Sequence, residues 1–133
     1  MRRPATARHA RSTSRERGSA TVELTFILPI VLLIVFGLMQ GALVAQGRAT
    51  AIAAAQEGAR VAAGERGTVD MGIAAAKDFV EASSLGSPAK SVSGTRTVTE
   101  ATIVVTVKTT SVIPAWRPTI VKSASMPVER VTG

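Results

Sequence analysis

The apolar pattern changes character several times along the chain, and each change marks an element. From Leu24 to Ala45 the sequence reads LTFILPIVLLIVFGLMQGALVA, in which 17 of 22 residues are apolar and none is charged. As a helix this run rises about 33 Å, enough for a hydrocarbon layer of about 30 Å. A chain of 133 residues has too little other material to surround it. It predicts a transmembrane span. Residues 46–63, QGRATAIAAAQEGARVAA, lack proline and are rich in alanine, the best helix former. One long helix is therefore expected over 19–63, stopping before Gly64 and Gly67. Ser19 or Thr21 would cap it, Glu23 would sit in the first turn, and Pro29 would bend it.

Beyond Gly67 the period becomes that of an amphipathic helix over 68–83. Val69, Ile73, Ala76 and Val80 form one stripe with Phe79 beside it, and Asp70, Lys77, Glu81 and Ser84 form the other. Gly86-Ser87-Pro88 would end it. The period then falls to two. Ala101–Ile113 is β-branched almost throughout, with Ile103, Val105 and Val107 on one face and Thr102, Val104, Thr106 and Lys108 on the other. A partner strand is expected within 90–99, its register made uncertain by Gly94. A last strand is expected over 119–131, with Pro127 at an edge or bulge. The fold class is α+β: a long N-terminal transmembrane helix extending outward, a second amphipathic helix, and a small antiparallel sheet of about three strands. The expected domains are a basic arm or leader over 1–18, the long helix over 19–63 with its span at 24–45, and an extracytoplasmic α+β module over 64–133. The Ala-rich half of the long helix offers a low-relief surface for another helix or for the sheet.

Charge orients this arrangement. The net charge is +7, but residues 1–17 carry six Arg against one Glu. The positive-inside rule puts that arm in the cytoplasm and residues from about 46 onward outside, a single-pass protein of the cell membrane. The arm has no interleaved aromatics and no DNA-binding motif beside it, so topology explains it better than nucleic acid does. A cleaved secretory signal is the competing reading, with Ala45-Gln46-Gly47 as cleavage site and a mature chain from Arg48. The apolar run exceeds the length usual for a signal.

Chemistry is sparse. There is no cysteine, and the one histidine, His9, lies in the arm, which removes thiolate and histidine-pair metal sites. The carboxylates after the span are scattered, and no base stands ready to activate Ser or Thr. The expectation is a non-enzyme without cofactor, catalytic residue or metal site. Trp116, between Pro114 and Pro118, reads first as a cap on the core and second as an interfacial residue.

The informative stretch is Arg17-Gly18-Ser19-Ala20-Thr21-Val22-Glu23-Leu24. A Gly stands at the membrane boundary and a Glu five residues later opens the apolar run, where a carboxylate is costly unless partnered. This resembles the processing site of type IV pilin precursors. The resemblance implies cleavage between Gly18 and Ser19 by a prepilin peptidase. It also implies that Glu23 sets subunit register by pairing with the new N-terminus of a neighbour. The plainer reading makes Glu23 a first-turn acid favoured by the helix dipole. Taken with Pro29, Gly37 and Glu57-Gly58-Ala59-Arg60, residues 16–66 resemble the TadE-like proteins of tight-adherence (Flp-type) pilus systems. That implies a minor pilin-like protein, a pseudopilin, aiding pilus assembly or adherence. Its partners would be the bilayer, other pilin-like subunits and the assembly machinery. Leu24 stands where the major pilins have an aromatic, which speaks against the major subunit. An unprocessed membrane-anchored helper is the remaining alternative. Gly37, Gly41 and Ala45 continue into Ala49 and Ala53 as a four-residue ladder that would let another helix approach closely. Gln40 would be available for an interhelical hydrogen bond. Such ladders also arise by chance in Ala-rich chains.

Overall fold

The structure is a computed structural model that describes residues 13–83 and 89–130. Its elements are helix α1 (Thr13–Ala63), helix α2 (Val69–Ser83) and strands β1 (Ala89–Arg96), β2 (Glu100–Lys108) and β3 (Thr119–Pro127). The class is α+β, with a long apolar helix, a second helix and a three-stranded antiparallel sheet in the order β1-β2-β3. The chain divides into two compact units, residues 1–37 and 38–133.

In the first unit the described residues belong to α1. The helix starts at Thr13 rather than at 19 or 20, so the expected arm is helical from 13 onward and Ser19 and Thr21 are not its caps. Residues 13–22 contain no proline, and Arg15, Glu16, Arg17 and Ala20 are good helix formers, so the helix propagates backward through Ser14-Arg15-Glu16-Arg17. Thr21 is instead an interior residue, and its carbonyl accepts the Thr25 hydroxyl at 2.8 Å. Pro29 lies inside the helix. Residues 1–12, including the first Arg residues of the arm, lie outside the described residues, as do Ser84 and the Gly86-Ser87-Pro88 stop.

The second unit is a sheet with one face covered by helix. Ala101, Ile103, Val105 and Val107 of β2 are buried, and alternate residues are half-exposed. Period-two patterning produces this directly, because successive side chains leave a strand on opposite faces. Register pairs Gly94 of β1 with Ile103, and Ile103 with Ala124 of β3. A Cβ at Gly94 would lie 2.5 Å from the Ile103 Cδ1, so the glycine makes room for the Ile103 side chain. Pro127 closes β3, an edge strand, where its missing N–H costs no ladder bond. The other face is rich in hydroxyls, and Thr102 Oγ1 and Ser125 Oγ are 2.7 Å apart.

Helix packing against the sheet runs through small residues. Ala51, Ala54, Ala55, Ala59 and Ala62 of α1 are fully buried, a stripe at i, i+3, i+4, i+8 and i+11. Gly58 lies on the same stripe, and a Cβ there would be 2.9 Å from Ala76 Cβ of α2 and 3.1 Å from Ile103 Cγ2. In α2 the buried residues are Gly72, Ala76 and Val80. The expected stripe holds: Ala76 and Val80 are buried, and Ile73 and Phe79 are partly buried against the core. Half-buried Val69 has its Cγ1 3.2 Å from where a Gly94 Cβ would stand, with Gly72 added beside them. Thr68 caps α2, its Oγ1 accepting from Met71 N at 3.2 Å, with Asp70 in the first turn.

Two further contacts close the unit. The Arg96 guanidinium donates to the carbonyls of Gly67 and Gly64 (3.2 Å to the latter), tying the end of β1 to the α1–α2 turn. Glu129 N donates to Ala63 O at 3.1 Å, satisfying a carbonyl at the α1 terminus that has no partner within the helix.

Candidate functional site

The residues singled out from the sequence fall into two groups on α1. Gly18 and Ser19 lie within the helix. Glu23 is exposed on it, with Val22 and Leu24 exposed to either side. A run of large apolar side chains from Phe26 to Met39 is also exposed, Leu33 at 73% and Leu38 at 71%. This helix is long and apolar enough to cross a membrane, and its most apolar stretch takes no part in the protein core. A soluble core helix would have buried that surface. The N-terminal helix is thus an apolar segment suited to anchor the chain.

Gly37 and Gly41 have nothing within 4 Å of where a Cβ would stand, and Ala45 is exposed. The ladder is not used inside the protein. The stripe that is used, Ala51 to Ala62, is a different set of residues.

Gln40 departs from its expected use. It is 3% exposed, and its Oε1 accepts from Ser111 Oγ at 3.0 Å and from Val112 N at 2.9 Å. Its partner is thus the loop between β2 and β3, not a second helix. The backbone donor fixes which way the amide points, because Val112 N–H needs an oxygen. Gln40 Nε2 is left buried without a hydrogen-bond partner. About two turns further on, Gly47 lies against the same end of the sheet. A Cβ there would be 2.6 Å from Thr109 Cγ2 and 3.3 Å from Ile120 Cδ1. Trp116 is 51% exposed and does not cap the core, against the first reading of the sequence. The core contains Ile120, Val107 and the small residues of α1, and Trp116 is not part of it.

Glu57 and Arg60 form an exposed pair at i, i+3, with Oε1 to Nη2 at 2.6 Å and Oε2 to Nε at 2.9 Å. The hydrogen bonds from Arg60, aided by its charge and opposed by slight desolvation, hold the Glu57 carboxyl below its ordinary range. Gly58 and Ala59, between them in sequence, face the core.

The segment from Gly18 to Arg60 therefore combines an exposed apolar helix, a Gly/Glu pair at its start and a small-residue packing stripe at its end. Residues 18–60 match the family model of TadE-like proteins. Over that stretch the chain is TadE-like. No curated protein and no solved structure gives a match. The TadE-like segment holds every site residue expected from the sequence, Gly18, Ser19, Glu23, Gly37, Gly41 and Ala45. The resemblance over this segment implies involvement in the tight-adherence pilus and association with pilus assembly components. The packing roles of Gly47, Gly58 and Gly72 and the bridging role of Arg96 escaped the sequence reading. An isolated glycine inside a helical pattern is the signal that would have found Gly58 and Gly72, since it costs helix stability unless packing needs it.

Proposed function

We propose that this chain is a minor pilin-like membrane protein, a pseudopilin, that aids assembly of a tight-adherence type pilus. The TadE-like match over residues 18–60 carries this reading. It covers the Gly18-to-Glu23 spacing, the exposed apolar helix and the stripe on which the α+β unit folds. The arginines before the span favour a cytoplasmic N-terminus and an extracytoplasmic C-terminal unit. Gly18 and Ser19 flank the proposed cleavage by a prepilin peptidase. Glu23, a carboxylate at the edge of the apolar run, would pair with the terminal ammonium of an adjacent subunit, because charge there is costly alone. Gly37, Gly41 and Ala45 are free to receive another pilin-like helix. The protein acts by contact, without catalysis.

The secreted alternative, a mature chain from Arg48, meets a structural objection. Cleavage after Gly47 would remove Gln40, the hydrogen-bond acceptor of Ser111 and Val112, and the Gly47 contact with Thr109 and Ile120. The α+β unit is built with residues 38–47 as part of it. The deciding experiment is the N-terminal sequence and intact mass of the protein from its native membrane fraction. A start at Ser19 is expected. A soluble chain starting at Arg48 overturns the anchor. An intact N-terminus in the membrane fraction overturns processing and leaves a helper protein.

A further inference from the structure

The loop joining β2 to β3, residues 109–118, is held at an unusual place. Gln40 lies five residues, about 7.5 Å along the helix, before the end of the apolar run at Ala45. By bonding Ser111 Oγ and Val112 N, Gln40 brings the loop alongside the last part of that run rather than above it. The loop then turns outward its most apolar residues. Val112, Ile113 and Trp116 are 36%, 42% and 51% exposed. A turn from Ile113 to Trp116, closed by Trp116 N to Ile113 O at 3.3 Å, has Pro114 second and Ala115 third at φ 65°, the pattern of a type II turn. Arg117 follows and is exposed.

We infer that this loop is a second membrane-contacting element. Trp116, Ile113 and Val112 enter the headgroup–acyl boundary of the leaflet where the apolar run of α1 ends, at a depth set by Gln40. The inference rests on the reading of α1 as a membrane anchor. Three physical arguments carry it. Leu38 and Met39, the two residues before Gln40, are exposed like the apolar residues of the loop that Gln40 holds, so an apolar surrounding would serve both. Trp between an apolar flank and a cation suits the interface, where the ring rests among acyl chains and Arg117 reaches phosphate. Backbone in a water-poor layer needs its donors satisfied. Here the N–H groups of the apolar residues Val112, Ile113 and Trp116, and of Thr109 at the loop's start, are bonded within the protein, and Pro114 and Pro118 have none.

Trp116 is the only tryptophan in the sequence, so intrinsic fluorescence of the full chain reports on this loop alone. The protein is reconstituted into phosphatidylcholine vesicles whose acyl chains carry bromine at a shallow or a deep position. Aqueous iodide serves as the opposing quencher, and flotation is measured on the same samples. The expected result is strong quenching by shallow bromine, weaker quenching by deep bromine and protection from iodide. Gln40→Leu should raise iodide quenching and lower bromine quenching while flotation is unchanged. Unaltered quenching in that variant overturns the tether. Iodide quenching without bromine quenching, in protein that floats with the vesicles, overturns the loop and spares the anchor. Protection from both quenchers means that protein, such as a second copy, covers Trp116, and also overturns the loop. Protein that does not float removes the anchor and the loop together.

Discussion

Gly58 of α1 and Gly72 of α2 approach so closely that each occupies the space of the other's missing side chain. A Cβ on Gly58 would lie 2.7 Å from the Gly72 carbonyl oxygen, and a Cβ on Gly72 would lie 2.6 Å from the Gly58 carbonyl oxygen. Both obstacles are backbone, which cannot swing aside as a side-chain end does. The two helices touch at this point and both lie against Ile103, which is within 3.2 Å of both hypothetical Cβ positions.

Gly58→Ala and Gly72→Ala should each destabilise the α+β unit. Overpacking of this kind costs about 1–3 kcal/mol, offset by up to about 1 kcal/mol of improved helix propensity. Gly64→Ala is the control, because its Cβ would meet nothing closer than the Val61 carbonyl at 3.5 Å. Urea unfolding of the full chain in detergent, followed by circular dichroism, should show lower midpoints for the first two variants and little change for the third.

Arg96→Ala should loosen the α1–α2 turn, since its guanidinium bridges the Gly64 and Gly67 carbonyls. Hydrogen bonds from a charged donor contribute about 1.5–3 kcal/mol. Arg96→Lys should recover only part of the loss, because an ammonium cannot span two carbonyls in one plane. Amide hydrogen exchange over residues 64–68 is the direct readout. Protection there equal to that of the unaltered protein would sink the clamp.

The Glu57–Arg60 pair predicts a small pH effect of defined sign. Its folded carboxyl titrates below the ordinary range because Arg60 bonds the ionised form. The pair's stabilisation is therefore complete above the unfolded carboxylate range and is lost as pH falls through the depressed folded value. Glu57→Gln should leave the neutral-pH midpoint nearly unchanged, as solvent screens so exposed a pair. It should also flatten the acid limb of midpoint against pH. A large loss of stability at neutral pH would contradict the geometry.

Gly41→Leu separates folding from assembly. Its Cβ position is open, so unfolding midpoint and membrane insertion should be those of the unaltered protein. If helices pack laterally on this face, pilus formation should fall sharply. Normal piliation would exclude the ladder as a contact.

Glu23→Ala should insert and fold normally, because Glu23 is exposed and far in sequence from the α+β unit. Assembly should be impaired if its carboxylate pairs with a neighbouring terminus. A variant that assembles at the usual level would refute the register role and leave Glu23 as a first-turn acid.

The apolar run, the second helix, the β-branched strand and its inward face could all be read from the linear chain. Each depends on a local quantity: length against bilayer thickness, a period of 3.6 or two, or the propensity of a short segment. Even the buried set Ile103, Val105 and Val107 follows from alternation alone. The face that α1 turns inward does not follow, because alanine and glycine recur all round the helix and read alike on every side. The ladder through Gly37, Gly41 and Ala45 and the stripe through Ala51, Ala55 and Gly58 are equivalent in sequence. Only packing against Ile103 and Ala76 chose the second. The same holds for Gln40, whose partner lies 71 and 72 residues away at Ser111 and Val112. A polar residue in an apolar helix announces that it needs a hydrogen bond. Which group provides it is a matter of where the fold returns the chain, and no local pattern encodes that.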